Sequence, residues 1–115
     1  MQTNGLIALR KRADYLKAAA GMHRSTPGFV LQIRNRGEEE PDSIRVGITC
    51  SKKVGNAATR NRAKRRLREV ARLALPEHGR NGFDYVLIGR RHVTTTRGFA
   101  TMLEDLKDAL AEVHK

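Results

Sequence analysis

Apolar and polar residues alternate along this chain in two different periods, and the switch between them lays out the elements. Phe29-Val30-Leu31-Gln32-Ile33, entered through the turn pair Pro27-Gly28, reads as a strand. Ile44, Val46, Ile48 and Cys50 repeat every second residue and mark a second strand. From Ala58 to Leu75 there is no Gly or Pro, and the period changes. Ala63, Leu67, Val70, Ala71 and Ala74 then fall on one side of a helix, with Thr59 as its expected N-cap and Pro76 as its stop. Phe83 to Gly89 is largely apolar, the pattern of a strand covered on both faces. Phe99, Met102, Leu103, Leu106, Leu110 and Val113 follow at helical spacing, with Glu104, Asp105, Asp108 and Glu112 on the outer side.

Weaker signals fill the rest. Residues 1–12 are polar and end in Leu9-Arg10-Lys11-Arg12, which suggests a mobile basic arm. Ala13 to Ala20 reads as a short helix with Gly21 as its stop. Asn35 to Asp42 holds three consecutive Glu and reads as the acidic tip of a hairpin between the first two strands. Gly55-Asn56 permits positive φ ahead of the long helix. The element order is helix, two strands with room for a third, basic helix, strand, helix. That order is α+β, and strand–helix–strand over residues 44–89 implies a parallel pair in a small mixed sheet. With 115 residues, the chain is expected to form one domain over 1–115.

Charge changes the picture. The formal net charge is +11 and the pI near 10.9, which puts nucleic acid first among partners, ahead of an anionic membrane or an acidic substrate. Between Ile44 and Arg72 there are ten Lys or Arg against one acid, Glu69. Asn61, Arg65, Arg68 and Arg72 share the side of the long helix opposite its apolar positions, with Lys64 beside them. Like charges at this spacing cost about a few tenths of a kcal/mol per pair on an isolated helix. An ordinary solvated face mixes signs; this one calls for a polyanion.

Other chemistry is missing from the pattern. Cys50 is the single cysteine, so no intramolecular disulfide forms; a small apolar role in a reducing, cytoplasmic setting is expected. His23, His78, His92 and His114 are scattered without carboxylates at ligand spacing, so no metal site and no catalytic residue is expected in the protein. There is no GxxxxGK[ST] phosphate loop, no signal-like apolar run, and no stretch approaching the ~18 apolar residues of a membrane span.

The runs Arg45-Val46-Gly47, Ser51-Lys52-Lys53-Val54-Gly55-Asn56-Ala57 and Arg60-Asn61-Arg62-Ala63-Lys64-Arg65-Arg66-Leu67-Arg68-Glu69 resemble the signature of the bacterial ribonuclease P protein component. The resemblance implies an α/β sandwich whose strand–helix–strand crossover is left-handed, against the general rule. It implies a ribonucleoprotein endonuclease that removes the 5′ leader of precursor tRNA. The RNA subunit would hold the catalytic Mg²⁺ and perform the hydrolysis. The protein would bind that RNA and the leader, with no obligate protein partner.

By this resemblance Arg60, Asn61, Arg62, Lys64, Arg65 and Arg68 contact the RNA subunit, with Arg72 extending the ridge and Lys52 and Lys53 in the adjoining loop. Asn61 could donate to phosphate, orient a hydrated metal ion, or serve the helix itself. The leader cleft would be lined by Arg12 and Tyr15 on the first helix and by one face of the sheet. Phe29 and Leu31 stand as its candidates there, although the alternation with Val30 leaves open which set faces the cleft. A second aromatic, one turn after Tyr15, is replaced by Ala19. Two competing readings are a structural RNA-binding protein of ribosomal type, which charge and size alone would allow, and a helix-based DNA-binding module, for which a helix-turn-helix pair is missing.

Overall fold

The computed structural model describes residues 6–115, and within them the order is β1 (Leu6–Ala8), α1 (Arg12–Ala19), β2 (Met22–Ser25), β3 (Phe29–Asn35), β4 (Ile44–Thr49), a 3₁₀ turn (Lys52–Val54), α2 (Ala57–His78), β5 (Phe83–Gly89), the single-turn α3 (Val93–Thr96) and α4 (Phe99–Val113). The five strands form one mixed sheet in the order β1-β4-β5-β3-β2. Strand β5 is central, antiparallel to β3 and parallel to β4, and β1 and β2 are the edges. The architecture is α+β, as the periods predict, and β4–α2–β5 is the expected parallel unit.

The period of two assigns each strand residue to a face. Phe29, Leu31 and Ile33 of β3, Ile44, Val46 and Ile48 of β4, and Tyr85 and Leu87 of β5 meet α2 and α4 in the main core. Helix α2 supplies Leu67, Val70, Ala71, Ala74 and Leu75; α4 supplies Met102, Leu106, Ala109 and Leu110. On the opposite face the shorter α1 covers only part of the sheet, where Leu9, Ala18 and Val86 form a small cluster with Tyr15 and Ile88.

Several expectations are corrected here. Of the basic arm expected over 1–12, residues 1–5 lie outside the described residues, while Leu6–Ala8 is an edge strand parallel to β4. Arg12 already belongs to α1. The Glu-rich segment is not a hairpin tip, because β5 lies between β3 and β4 and the loop must pass over its end. The long helix starts two residues before Thr59, since Asn56 is extended and its Oδ1 accepts the Thr59 N–H at 2.9 Å. Of the pair Gly55-Asn56 only Gly55 has a positive φ (149°), and a Cβ there would come within 2.9 Å of Thr59. Pro76 does not stop the helix, which runs to His78 with the Gly79 N–H closing onto the Leu75 carbonyl at 2.8 Å. Pro76 gives up the bond to the Arg72 carbonyl and crowds that oxygen, and only Glu77 and His78 of the helix follow it.

The loop after β3 folds around a guanidinium. Arg36 is buried and donates from Nε to the Glu39 carbonyl (3.0 Å) and from Nη2 to the carbonyls of Glu40 (2.5 Å) and Ser43 (2.6 Å). Its Nη1 reaches Asp84 Oδ1 at 2.6 Å. Asp84, fully buried in the middle strand, sits in register with Arg34 on one side and Arg45 on the other. Arg45 binds it through two parallel donors, Nε to Oδ1 at 2.8 Å and Nη2 to Oδ2 at 2.9 Å; Arg34 adds a 3.3 Å contact. Asp14 of α1 completes the network, 3.6 Å from Arg45 and 3.9 Å from Arg34. Burial pushes the Asp84 carboxyl up, but the bonds from Arg45 and Arg36 outweigh it and hold it below the usual range.

Candidate nucleic-acid interface

The exposed side of α2 begins at its cap. Ser51 starts the 3₁₀ turn by accepting the Lys53 N–H at 3.3 Å, and Gly55 and Asn56 then turn the chain into the helix. This places Lys52 and Lys53 directly before the helix N-terminus, an end that favours anions. Asn61, Arg62, Arg65 and Arg68 are exposed, and Arg60 and Lys64 are half-buried along the flank. Among the described residues, none of the side chains of Lys52, Lys53, Arg60, Asn61, Arg62, Lys64, Arg65 and Arg68 makes a hydrogen bond or an ion pair. Arg60, Lys64 and Arg68 lie close enough to Cys50 to pull its thiol pKa down, yet burial wins and pushes it up. The thiol is therefore a half-buried packing group.

Not every cation of the helix is free. Arg66 turns inward and donates to the carbonyls of Thr94 (3.0 Å) and Arg97, tying α2 to the start of α4. Arg72 is held by Glu69, with Nε 3.2 Å from each carboxylate oxygen and a second bond from Nη2. The ridge is thus unneutralised up to Arg68 and closed by an ion pair at Arg72.

Around the edge of the sheet the same surface continues to α1. The Tyr15 ring lies over Gly47, where a Cβ would meet the ring at 2.5 Å, so this position has to be glycine for the ring to lie flat on the strand. The phenol donates to the Leu9 carbonyl at 3.3 Å. Tyr15 lines one depression with Leu9, Gly47, Ile48 and Arg68, and a second with Arg10, Arg12 and Thr49. One edge of the aromatic ring is therefore presented between guanidinium groups from both helices.

A family model described as Ribonuclease P matches residues 5–114. The chain belongs to the ribonuclease P protein family. It is 54% identical over 112 residues to the ribonuclease P protein component of Ruegeria pomeroyi, covering 97% of this chain and 90% of that one. The corresponding protein of Caulobacter vibrioides is 51% identical over 102 residues, covering 89% and 67%. Among solved structures, the RNase P protein of Thermotoga maritima superposes with a TM-score of 0.73 at 32% identity, covering 91% of this chain and 96% of that one. That of Staphylococcus aureus superposes at 0.71 and 28%, covering 94% of each.

Within this ribonuclease P fold, two expected leader residues are misplaced. Phe29 and Leu31 have no exposed surface and pack under α2 and α4, so no RNA reaches them. The residues of β3 on the α1 side are Val30, Gln32 and Arg34, one step out of phase. Asn61 is exposed, and its side chain makes no hydrogen bond among the described residues. Ala19 is exposed, and its carbonyl lies 2.7 Å from His23 Nε2. Arg90 and Arg91, which the sequence reading passed over, share a depression with Ser51 and Lys53. The signal for them was available: parallel strands end on the same side, so the residues after β5 fall beside the loop after β4. Among the described residues, no group of three or more His, Cys, Asp or Glu is placed to hold a metal ion. No helix among the described residues is long and apolar enough to cross a membrane.

Proposed function

We propose that this chain is the protein subunit of a cytoplasmic ribonuclease P ribonucleoprotein that removes the 5′ leader of precursor tRNA. It docks on the RNA subunit through Lys52, Lys53 and the exposed side of α2, and guides the leader over Tyr15 beside Arg12. The observation that carries this is the set Lys52, Lys53, Arg60, Arg62, Lys64, Arg65 and Arg68, whose side chains have no partner among the described residues, on a capped helix and the turn before it. Each guanidinium or ammonium set on a phosphate releases counterions, so binding is strong and salt-dependent without any base being read.

Hydrolysis, with its Mg²⁺, is assigned to the RNA subunit. The protein lowers the repulsion between RNA subunit and substrate and places the leader. An aromatic ring that takes a base stack is tolerant of sequence, which suits leaders of many sequences. The test is reconstitution: the purified chain should restore precursor cleavage by a bacterial ribonuclease P RNA at low Mg²⁺, and should cleave nothing without that RNA. Cleavage by RNA-free protein, or no stimulation of the RNA, would refute the assignment.

A further inference from the structure

The edge of the sheet carries an apolar slot that borders the phosphate ridge at Arg68 and shares Ala8, Val46, Ile48 and Arg68 with the depression beside Tyr15. Its walls are Leu6 and Ala8 of β1, Val46 and Ile48 of β4, and Ala71 of α2. The exposed Arg68 and Arg72 complete the lining. At about 240 Å³ it falls below the ~300–1,000 Å³ typical of sites for drug-sized ligands, which suits a single ring system. It exists because Ala8 and Ala71 are small where the edge strand and the helix diverge.

We infer that this slot takes one unstacked base of the RNA subunit. The inference rests on the function proposed above and adds a non-electrostatic contact to it. An apolar wall with guanidinium groups beside it matches the two sides of a nucleotide: a flat, poorly hydrated ring and a charged phosphate. RNA offers such bases in loops and bulges, where they stack on apolar or guanidinium planes. Among the described residues Arg68 has no hydrogen-bond or ion-pair partner, and the Arg72 guanidinium is paired with Glu69. One is free to meet the incoming phosphate while the other is a fixed wall.

The slot's place on the α2 side of the sheet favours the RNA subunit as the source of the base. Val46 and Ile48 point toward α2, whereas Tyr15 lies over Gly47 on the other face. A strand running along the α2 ridge can turn a base into the slot. A strand crossing Tyr15 reaches the slot only around the β1–β4 edge, where Ala8, Val46, Ile48 and Arg68 line both depressions, and the comparison of precursor with mature tRNA below separates that source from the RNA subunit.

The test fills the slot without touching charge. Ala8→Leu places a larger apolar group at an exposed edge-strand position, and circular dichroism and the unfolding midpoint report whether the fold is kept. Affinity for the cognate RNA subunit should fall about tenfold, the range for one base contact, with the salt slope unchanged. Arg68→Ala, by contrast, should lower the slope by about 0.7–0.9. A photo-crosslinker attached at Ala8→Cys in a Cys50→Ala background should label one nucleotide of the RNA subunit in the holoenzyme. Unchanged affinity for Ala8→Leu, or crosslinks spread over many nucleotides, would overturn the slot. So would a loss confined to precursor over mature tRNA, which would give it to the leader. So would a light-scattering shift from dimer to monomer with RNA binding intact, which would give it to a second copy of the chain. In each of these cases the wild-type chain still stimulates cleavage; only failure of the wild type would count against the function itself.

Discussion

Arg34, Arg36 and Arg45 converge on one buried carboxylate at an end of the sheet, whereas Arg62, Arg65 and Arg68 are exposed and have no ion-pair partner among the described residues. The residue type is the same and the consequence is opposite. In the first group every guanidinium is oriented by Asp84, by loop carbonyls or by Asp14, and its charge is spent inside the molecule. In the second, the chain withholds acid along its most basic segment until Glu69, whose carboxylate engages Arg72. Surplus charge is meaningful only after the internal pairs are subtracted, and the densest part of what remains lies on the loop before α2 and on its exposed side.

The largest effect expected from this contrast is at Asp84. Asp84→Ala leaves three guanidinium groups facing one another without their anion and should destabilise the fold by about 3–5 kcal/mol. Denaturant unfolding checks the value. The molecules still folded should bind RNA with the wild-type salt slope, since no ridge cation has changed. The same carboxylate sets an acid limit. Its pKa is depressed in the folded state, so its stabilisation is present above the ordinary Asp value of about 3.9 and is lost as pH falls through the folded value. Unfolding midpoints measured across that range should drop steeply for wild type and more weakly for Asp84→Asn.

Next comes Tyr15, where the two regions meet, since Asp14 beside it is anchored to the buried network. Tyr15→Ala should cost about 1–3 kcal/mol of precursor tRNA affinity in the holoenzyme and almost nothing for mature tRNA, which has no leader. Equal losses for both would reduce the ring to packing over Gly47. Smaller again is Asn56→Ala. Loss of the cap bond to the Thr59 N–H should lower stability by about 1 kcal/mol, seen as a shift in denaturation midpoint, and should disorder the helix start next to Lys52 and Lys53.

Much of this was legible in the sequence, for reasons that can be located. Helix α2 was visible because Ala63, Leu67, Val70, Ala71 and Ala74 hold a strict phase over more than ten residues, and β5 because a run such as Tyr85-Val86-Leu87-Ile88 fits only a covered strand. Strand β1 was not, because Leu6-Ile7-Ala8 is too short to carry a period. The hairpin expected at Glu38–Glu40 followed from neighbours in sequence usually being neighbours in space. Here β5, more than thirty residues on, takes the place between them. Phe29 and Leu31 were assigned to the wrong face because alternation fixes which residues share a face and leaves its direction to whichever helices are larger. An acid inside an apolar strand was the signal for the Asp84 network. Its three partners lie 39 to 50 residues away, and no local pattern joins them.

The salt dependence of RNA-subunit binding separates the two arginine populations most directly. For wild type and the Arg65→Ala/Arg68→Ala double variant, log K is measured against log[salt] alongside the unfolding midpoint. Two lost phosphate contacts should flatten the slope by about 1.4–1.8 and leave the midpoint where it was. An unchanged slope, or a fall in stability like that of Asp84→Ala, would mean that these arginines hold the protein together and do not face RNA.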